Sequence, residues 1–323
     1  MRVAGNTKIK MNQCRSFLLA LLLICGASYG GPTASTPFFE ANKAYEKGNF
    51  TQATQLYQAA IKAKDQEVFA WFNMGNALIQ LKKNHLALVA YKRATELAPQ
   101  FGRPWAMIGD LNYLNEFDGE AIGAYKRALD LGEEPTRIWS ALAEIALRNK
   151  EWTEAQRWFE KLIQNDVLNT NAWLALVQIQ ENLGDDEGAK DILKKCLNEN
   201  PLASGNVHFY LARLNLKMGL QKEAIKALEN GLFFDPSQTQ YRRSLARIYS
   251  EDNQPWMAIF TLEDGLAKKP NDAKMNLDLA QLYFEQMRYE ESTKYFSIAY
   301  NLGLTEAKIG LENIKNKGYN DAH

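Results

Sequence analysis

Tryptophan is scarce in this chain, seven in 323 residues, yet Trp71, Trp105, Trp139 and Trp173 follow one another at steps of 34. A step that long is neither a helix turn nor a strand pleat, and it is too short for a domain. It marks a supersecondary unit used over and over. Such a unit cannot bury its apolar faces alone, so its copies must stack on one another. With Trp71 at position 4 of a 34-residue frame, other columns align. Position 20 holds Ala53, Ala87, Ala121, Ala155, Ala189, Ala224, Ala258 and Ser292, with one step of 35 between Ala189 and Ala224. Position 8 is nearly always small (Ala41, Gly75, Gly109, Ala143, Val177, Ala212, Ala246, Ala280). Position 24 is always large and apolar (Tyr57, Tyr91, Tyr125, Phe159, Leu193, Leu228, Leu262, Phe296).

Each period carries two segments with helical apolar spacing, about 12 to 14 residues each, around a polar turn. Gly48, Gly184 and Gly219 share one position in that turn. Small residues at positions 8, 20 and 27 predict helices in close approach, with the large residue at 24 filling the space beside them. Pro99, Pro201, Pro236 and Pro270 stop the second helix, because an interior Pro would lose a backbone hydrogen bond. The Trp column is expected to pack between helices. Its later members are His208, Arg242 and Asn276. With only His85 and His323 as companions, His208 has no metal-ligand spacing and is taken as a packing or interface residue.

The pattern of Trp, Leu, Gly, Tyr, Ala and Pro over residues 68–101 resembles the tetratricopeptide repeat family. The frame gives eight repeats, at 34–67, 68–101, 102–135, 136–169, 170–203, 205–238, 239–272 and 273–306. The resemblance implies an all-α fold: a right-handed superhelical solenoid of antiparallel helix pairs with a concave inner face. The first repeat departs from the pattern, with Pro37 and Glu40 where Trp and Leu would stand. Residues 307–323 are expected to form a capping helix and tail, with Ala307, Leu311 and Ile314 on one face.

The first 30 residues differ in kind. They carry Arg2, Lys8, Lys10 and Arg15, no acid, and the apolar run Phe17 to Cys25, followed by small residues at Ser28 and Gly30. This is a secretory signal pattern. Its apolar run is about half of what a bilayer span needs, so no integral membrane span is expected. The reading is an exported protein, periplasmic or extracellular, with residues 31–37 as a flexible leader; outer-membrane association is compatible with it. Cys25 as a lipid anchor is disfavoured by the bulky Ile24 before it, and Met11 is an alternative start to Met1. Removal of residues 1–30 leaves Cys196 as the sole cysteine and 34 basic against 38 acidic residues, a net charge of −4. No intramolecular disulfide can then form. Over the full chain the 38 basic and 38 acidic residues balance, so nucleic acid is not an expected partner.

No phosphate loop, zinc-protease motif, paired-cysteine site or nucleophile elbow is present, so catalytic, cofactor and metal sites are not expected. Cys196, at position 27, is expected to pack as a small hydrophobe. The informative column is position 9: Asn42, Asn76, Asp110, Glu144, Gln178, Arg213, Arg247 and Gln281, never apolar. Aromatic residues accompany it, among them Phe72, Tyr113 and Phe209. Polar groups interleaved with aromatics suit an extended peptide, whose amides need partners and whose side chains need pockets. The same column is also what a water-facing helix surface would carry, and both readings stand.

Arg213, Arg243 and Arg247 are expected to converge. A ligand carboxylate would offset their repulsion, as would Glu251 or an acid of a neighbouring repeat. The carboxylate clamp that some relatives use on chaperone tails is not matched: Phe72, Asn76, Met107, Arg137 and Ala141 supply two of its five residues. The sequence thus predicts a non-catalytic scaffold that holds an extended segment of a protein partner, in bacterial envelope assembly or secretion. The competing reading is a self-associating structural solenoid, a homodimer through the first repeat with Phe38 and Phe39.

Overall fold

The computed structural model describes residues 36–201 and 205–317. The expected signal segment, its cleavage site and Cys25 lie outside the described residues, as does most of the leader. The described chain is helical, with no strand among the described residues. Seventeen helices follow in order: α1 Pro37–Glu46, α2 Phe50–Lys62, α3 Glu67–Gln80, α4 Asn84–Leu97, α5 Gly102–Leu114, α6 Asp118–Asp130, α7 Pro135–Arg148, α8 Trp152–Asn165, α9 Thr170–Leu183, α10 Asp186–Glu199, α11 Gly205–Lys217, α12 Gln221–Phe234, α13 Thr239–Glu251, α14 Pro255–Lys268, α15 Ala273–Glu285, α16 Tyr289–Asn301 and α17 Ala307–Asn316. The chain divides into two compact units, one up to Pro104 and one from Trp105 onward. Within each, antiparallel helix pairs stack with helices adjacent in sequence packed on one another, a solenoid arrangement.

Helix pairs are made alike. The first helix of each of eight pairs ends with its residue at position 15 in the left-handed conformation: Gly48, Lys82, Glu116, Lys150, Gly184, Gly219, Asn253 and Met287, with φ between 58° and 78°. The next amide then reaches back five residues to a carbonyl of the last helical turn, from Asn49 to Ala44 through to Arg288 to Tyr283, at 2.8 or 2.9 Å. This closure satisfies carbonyls that the helix end would leave orphaned and turns the chain sharply enough to start the second helix. Only three of the eight left-handed residues are glycine, so the turn shows poorly in the sequence.

The core is set by the small columns. Every position 20 residue is fully buried, Ala53 through Ala258, and Ser292 joins them by donating its hydroxyl to the Ala280 carbonyl at 2.8 Å. The aromatic ring at position 24 lies directly over position 8 of the partner helix. A Cβ on Gly75 would stand 2.4 Å from the Tyr91 ring, and one on Gly109 would stand 2.5 Å from Tyr125. In these two pairs the ring occupies the space a Cβ would take.

The first pair differs from expectation at its start. Pro37, read from sequence as the end of a leader, is the first residue of α1, with Thr36 as its N-cap. Proline suits that place because its missing N–H would be unpaired anyway. At the other end α17 buries Ala307 and Ile314, with Leu311 partly buried, against Leu277, Phe296 and Ala299.

Candidate functional site

Position 9 lies on the first helix of each pair, next to the position 8 contact, and its chemistry depends on the ring at position 24. In the first three pairs that ring is tyrosine. The Tyr57 hydroxyl donates to Asn42 Oδ1 at 2.7 Å, Tyr91 to Asn76 Oδ1 at 2.8 Å and Tyr125 to Asp110 Oδ1 at 2.8 Å. A phenol buried among alanines needs an acceptor, and position 9 supplies it. Burial, then the acceptor Asp110, pushes the Tyr125 pKa well above its ordinary value. Asn42 also accepts from Asn73 at 3.2 Å, and Asp110 is ion-paired with Arg137.

From the fourth pair onward position 24 is Phe or Leu, with no hydroxyl to satisfy. Glu144, Gln178, Arg213, Arg247 and Gln281 are all exposed. Glu144 accepts from the Tyr113 hydroxyl, and the Arg148 guanidinium sits 5.5 Å above the Tyr113 ring while paired with Asp118. Burial, with Glu144 as acceptor, pushes the Tyr113 phenol up to about 12. The aromatic companions are half-buried: Phe72 packs 5.8 Å from Tyr91 and 5.2 Å from Phe101, and Phe209 stacks on Tyr241 at 4.7 Å.

The arginines do not converge as one cluster. One Arg213 nitrogen spans both oxygens of Glu181 at 2.6 and 2.8 Å. Arg243 grips Asp278 with two nitrogens, Nη2 to Oδ1 at 3.0 Å. Arg247 reaches Glu251 at 3.8 Å, one turn along its own helix and largely in solvent. Acids of the neighbouring pairs and of the same helix therefore provide the counter-charge. Arg213 is drawn to the preceding pair and Arg243 to the following one.

What the structure does bring together is Arg243, Arg247 and Gln281, in a cleft of about 380 Å³ between α13 and α15. Gln240, Ser244 and Ser250 line it with them, and Leu262 and Leu282 supply apolar wall. Asp278 and Glu285 offset its two arginines. A larger depression of about 780 Å³ beside Trp152 and Trp158 holds no position 9 residue, so volume alone does not mark the site. Among the described residues no three His, Cys, Asp or Glu side chains gather as metal ligands would, and no described helix is long and apolar enough to cross a membrane. Burial pushes the Cys196 thiol up to about 11, away from nucleophilic chemistry.

Two hydrogen-bond columns escape the sequence pattern. At position 4, Trp173 donates to the Val167 carbonyl at 2.9 Å, Arg242 to Pro236 at 3.3 Å and Asn276 to Pro270 at 2.9 Å, each six residues back. Unlike as they look, these residues share a donor aimed at the preceding linker. At position 11, Tyr249 donates to Glu229 at 3.0 Å and Tyr283 to Glu263 at 2.5 Å. That Tyr and Glu spacing of 20, used twice at a step of 34, was readable in the sequence.

Family models of the tetratricopeptide repeat match residues 68–101, 119–169 and 170–201. The chain is a tetratricopeptide repeat protein. Among solved structures, the C-terminal part of a tetratricopeptide repeat-containing protein from Cytophaga hutchinsonii superposes with a TM-score of 0.60 at 16% identity, over 75% of this chain and 99% of that one. At that identity the likeness is one of fold. A tetratricopeptide repeat protein from Parabacteroides merdae gives 0.46 at 15% identity, over 86% of this chain and 96% of that one. YrrB, described as a tetratricopeptide repeat protein with an unusual peptide-binding site, gives 0.46 at 16% identity, over 58% and 96%. No curated protein sequence matches the chain. The tetratricopeptide architecture is that of a protein-interaction scaffold, and its helix pairs carry the site just described.

Proposed function

We propose that the protein holds an extended segment of a protein partner along the first helices of its pairs, as a non-catalytic adaptor exported to the cell envelope and built from the eight repeats at 34–306. The observation that carries this reading is the α13–α15 cleft. There amides (Gln240, Gln281), hydroxyls (Ser244, Ser250) and arginines face one opening with an apolar wall. An extended backbone needs donors and acceptors along its length, and this lining offers both. Gln178 and Glu144 continue the polar column on α9 and α7, both exposed.

The test is a photoreactive residue at Gln281, and separately at Gln178, in the full chain, with crosslinking in the native envelope. One dominant partner at both positions supports the adaptor. Self-crosslinks alone favour the second reading, a homo-oligomer. That reading has its own observation: Phe39 is 62% exposed at the first helix of the stack. In that case deletion of residues 31–67 should abolish the self-crosslink.

A further inference from the structure

At position 4, Trp173, Arg242 and Asn276 tie their pairs to the linker before them, whereas the residue six before His208 lies outside the described residues. His208 is 6% exposed, as buried as Arg242, yet neither ring nitrogen has a hydrogen-bond partner among the described residues. Two turns further along α11, Asn215 Oδ1 is also buried without a donor. A neutral imidazole carries one donor and one acceptor, so both go unmatched here.

Among the described residues no side chain hydrogen-bonds the ring. The ring stacks on Phe234 of α12, centroids 5.4 Å apart and planes within 10°. Several charged groups on the helices around it are committed elsewhere. On α12, Glu229 accepts from Tyr249; beyond it Asp235 accepts from Ser237 and Gln238; on α13, Arg242 is held by Asp264. On α11 itself Arg213 and Lys217 point to Glu181 and Asp186, and on α10 Lys194 pairs with Asp191. Tyr241, a titratable group nearby on α13, donates a hydrogen bond to Asn206 Oδ1 at 2.8 Å.

We propose that His208 makes the α11–α12 pair a pH-sensitive joint: a proton on its ring, with no acceptor among the described residues to receive it, unpacks α11 from α12 and separates the imidazole from the Phe234 ring it stacks on. Burial alone depresses the imidazole pKa below its ordinary 6.5. Below that ordinary value the opened joint takes up a proton that the closed joint refuses, so each step toward acid favours opening. The Phe234 face attracts an imidazolium weakly and does not replace the lost water.

Hydrogen exchange of the full chain, resolved by peptide and corrected for the intrinsic pH dependence of amide exchange, tests this between about pH 7.5 and about pH 5. Protection in α11 and α12 should fall several-fold more than in α7 and α8, and His208→Phe or His208→Asn should remove the difference. Two variants are named so that one failing to fold leaves the other. An equal fall in wild type and variant overturns the proposal. So does a wild-type fall that is absent or uniform along the chain, which needs no variant to read.

Discussion

The Tyr125 hydroxyl lies 2.8 Å from the Asp110 carboxylate, and the Tyr125 ring covers Gly109, the residue just before that acceptor. Adjacent residues of one helix thus serve the two ends of a single buried side chain. Gly109 makes room for the ring and Asp110 accepts the hydrogen bond from its hydroxyl. The two changes that break this arrangement should cost differently. Tyr125→Phe removes donor and need together, and Asp110 keeps Arg137, so about 1 kcal/mol is expected. Asp110→Ala strands a buried phenol and should cost more, about 1–3 kcal/mol. Urea unfolding of the two variants checks the order; equal losses would mean that the hydrogen bond does not organise the pair.

Steric contact at the glycine should be the harsher test. Gly109→Ala puts a methyl 2.5 Å from ring atoms that are packed on all sides, so the ring or the helix must shift. Overpacking of this kind costs about 1–3 kcal/mol. In the Tyr125→Leu background the same substitution should be nearly free, because Leu228 and Leu262 sit opposite Ala212 and Ala246 in later pairs. A double-mutant cycle reads that coupling directly.

Turns between paired helices predict the opposite sign. Lys150 holds φ of 60°, a conformation a side chain resists, and Gly184 one pair later holds 78° at the same position. Lys150→Gly should therefore stabilise the chain by about 1 kcal/mol. Gly184→Lys should destabilise it by a similar amount. Melting temperatures of the two variants moving in the same direction would defeat the argument.

How much of this was legible beforehand depends on what each column does. Position 20 showed itself because a fully buried contact between helices tolerates only Ala or Ser. Position 9 showed as polar, but the polar residues have two causes, separable only by looking at position 24. Asn42, Asn76 and Asp110 answer a tyrosine hydroxyl, whereas Gln178 and Gln281 are exposed beside a position 24 residue that has no hydroxyl. Position 4 was legible as Trp packing and illegible as a donor column, because Trp173, Arg242 and Asn276 share one N–H and little else. The arginine pairs were half legible. Glu251 lies one turn from Arg247 in sequence, but Asp278 lies 35 residues from Arg243 and only the stacked helices bring it there.

Arg242 is buried, and its guanidinium is held by Asp264, which also takes the Lys268 ammonium at 2.8 Å. The Lys268 hydrogen bond, followed by the Arg242 charge and hydrogen bond, holds the Asp264 carboxyl below its ordinary 3.8. A depressed carboxyl pKa stabilises the fold above the unfolded value, and that stability is lost as pH falls through the folded one. Acid unfolding of the wild type should thus include a loss beginning near pH 4, which Asp264→Asn should flatten at the cost of lower stability at pH 7. Asp264 is partly exposed, so the loss should be nearer 1 kcal/mol than the larger penalty of a fully buried pair. An unchanged acid profile in Asp264→Asn would show that Arg242 is held by the Pro236 carbonyl alone.

The α13–α15 cleft offers a test with two directions. Arg247 is two-thirds exposed and loosely held, while Arg243 is tied to Asp278, so only one of the two arginines is readily available to a partner. If the cleft receives an acidic segment, Arg247→Gln should lower the crosslinking yield at Gln281 and make it less sensitive to salt. Asp278→Asn should raise the yield, because it releases the Arg243 fork and removes a negative wall. Removal of both arginines should lower it further than Arg247→Gln does. The yield measured at low salt and at about 0.5 M salt separates these outcomes from a loss of folding, which would lower crosslinking at Gln178 as well. A yield indifferent to all three changes would assign the arginines to holding neighbouring pairs in register and leave the amides as the part that meets the partner.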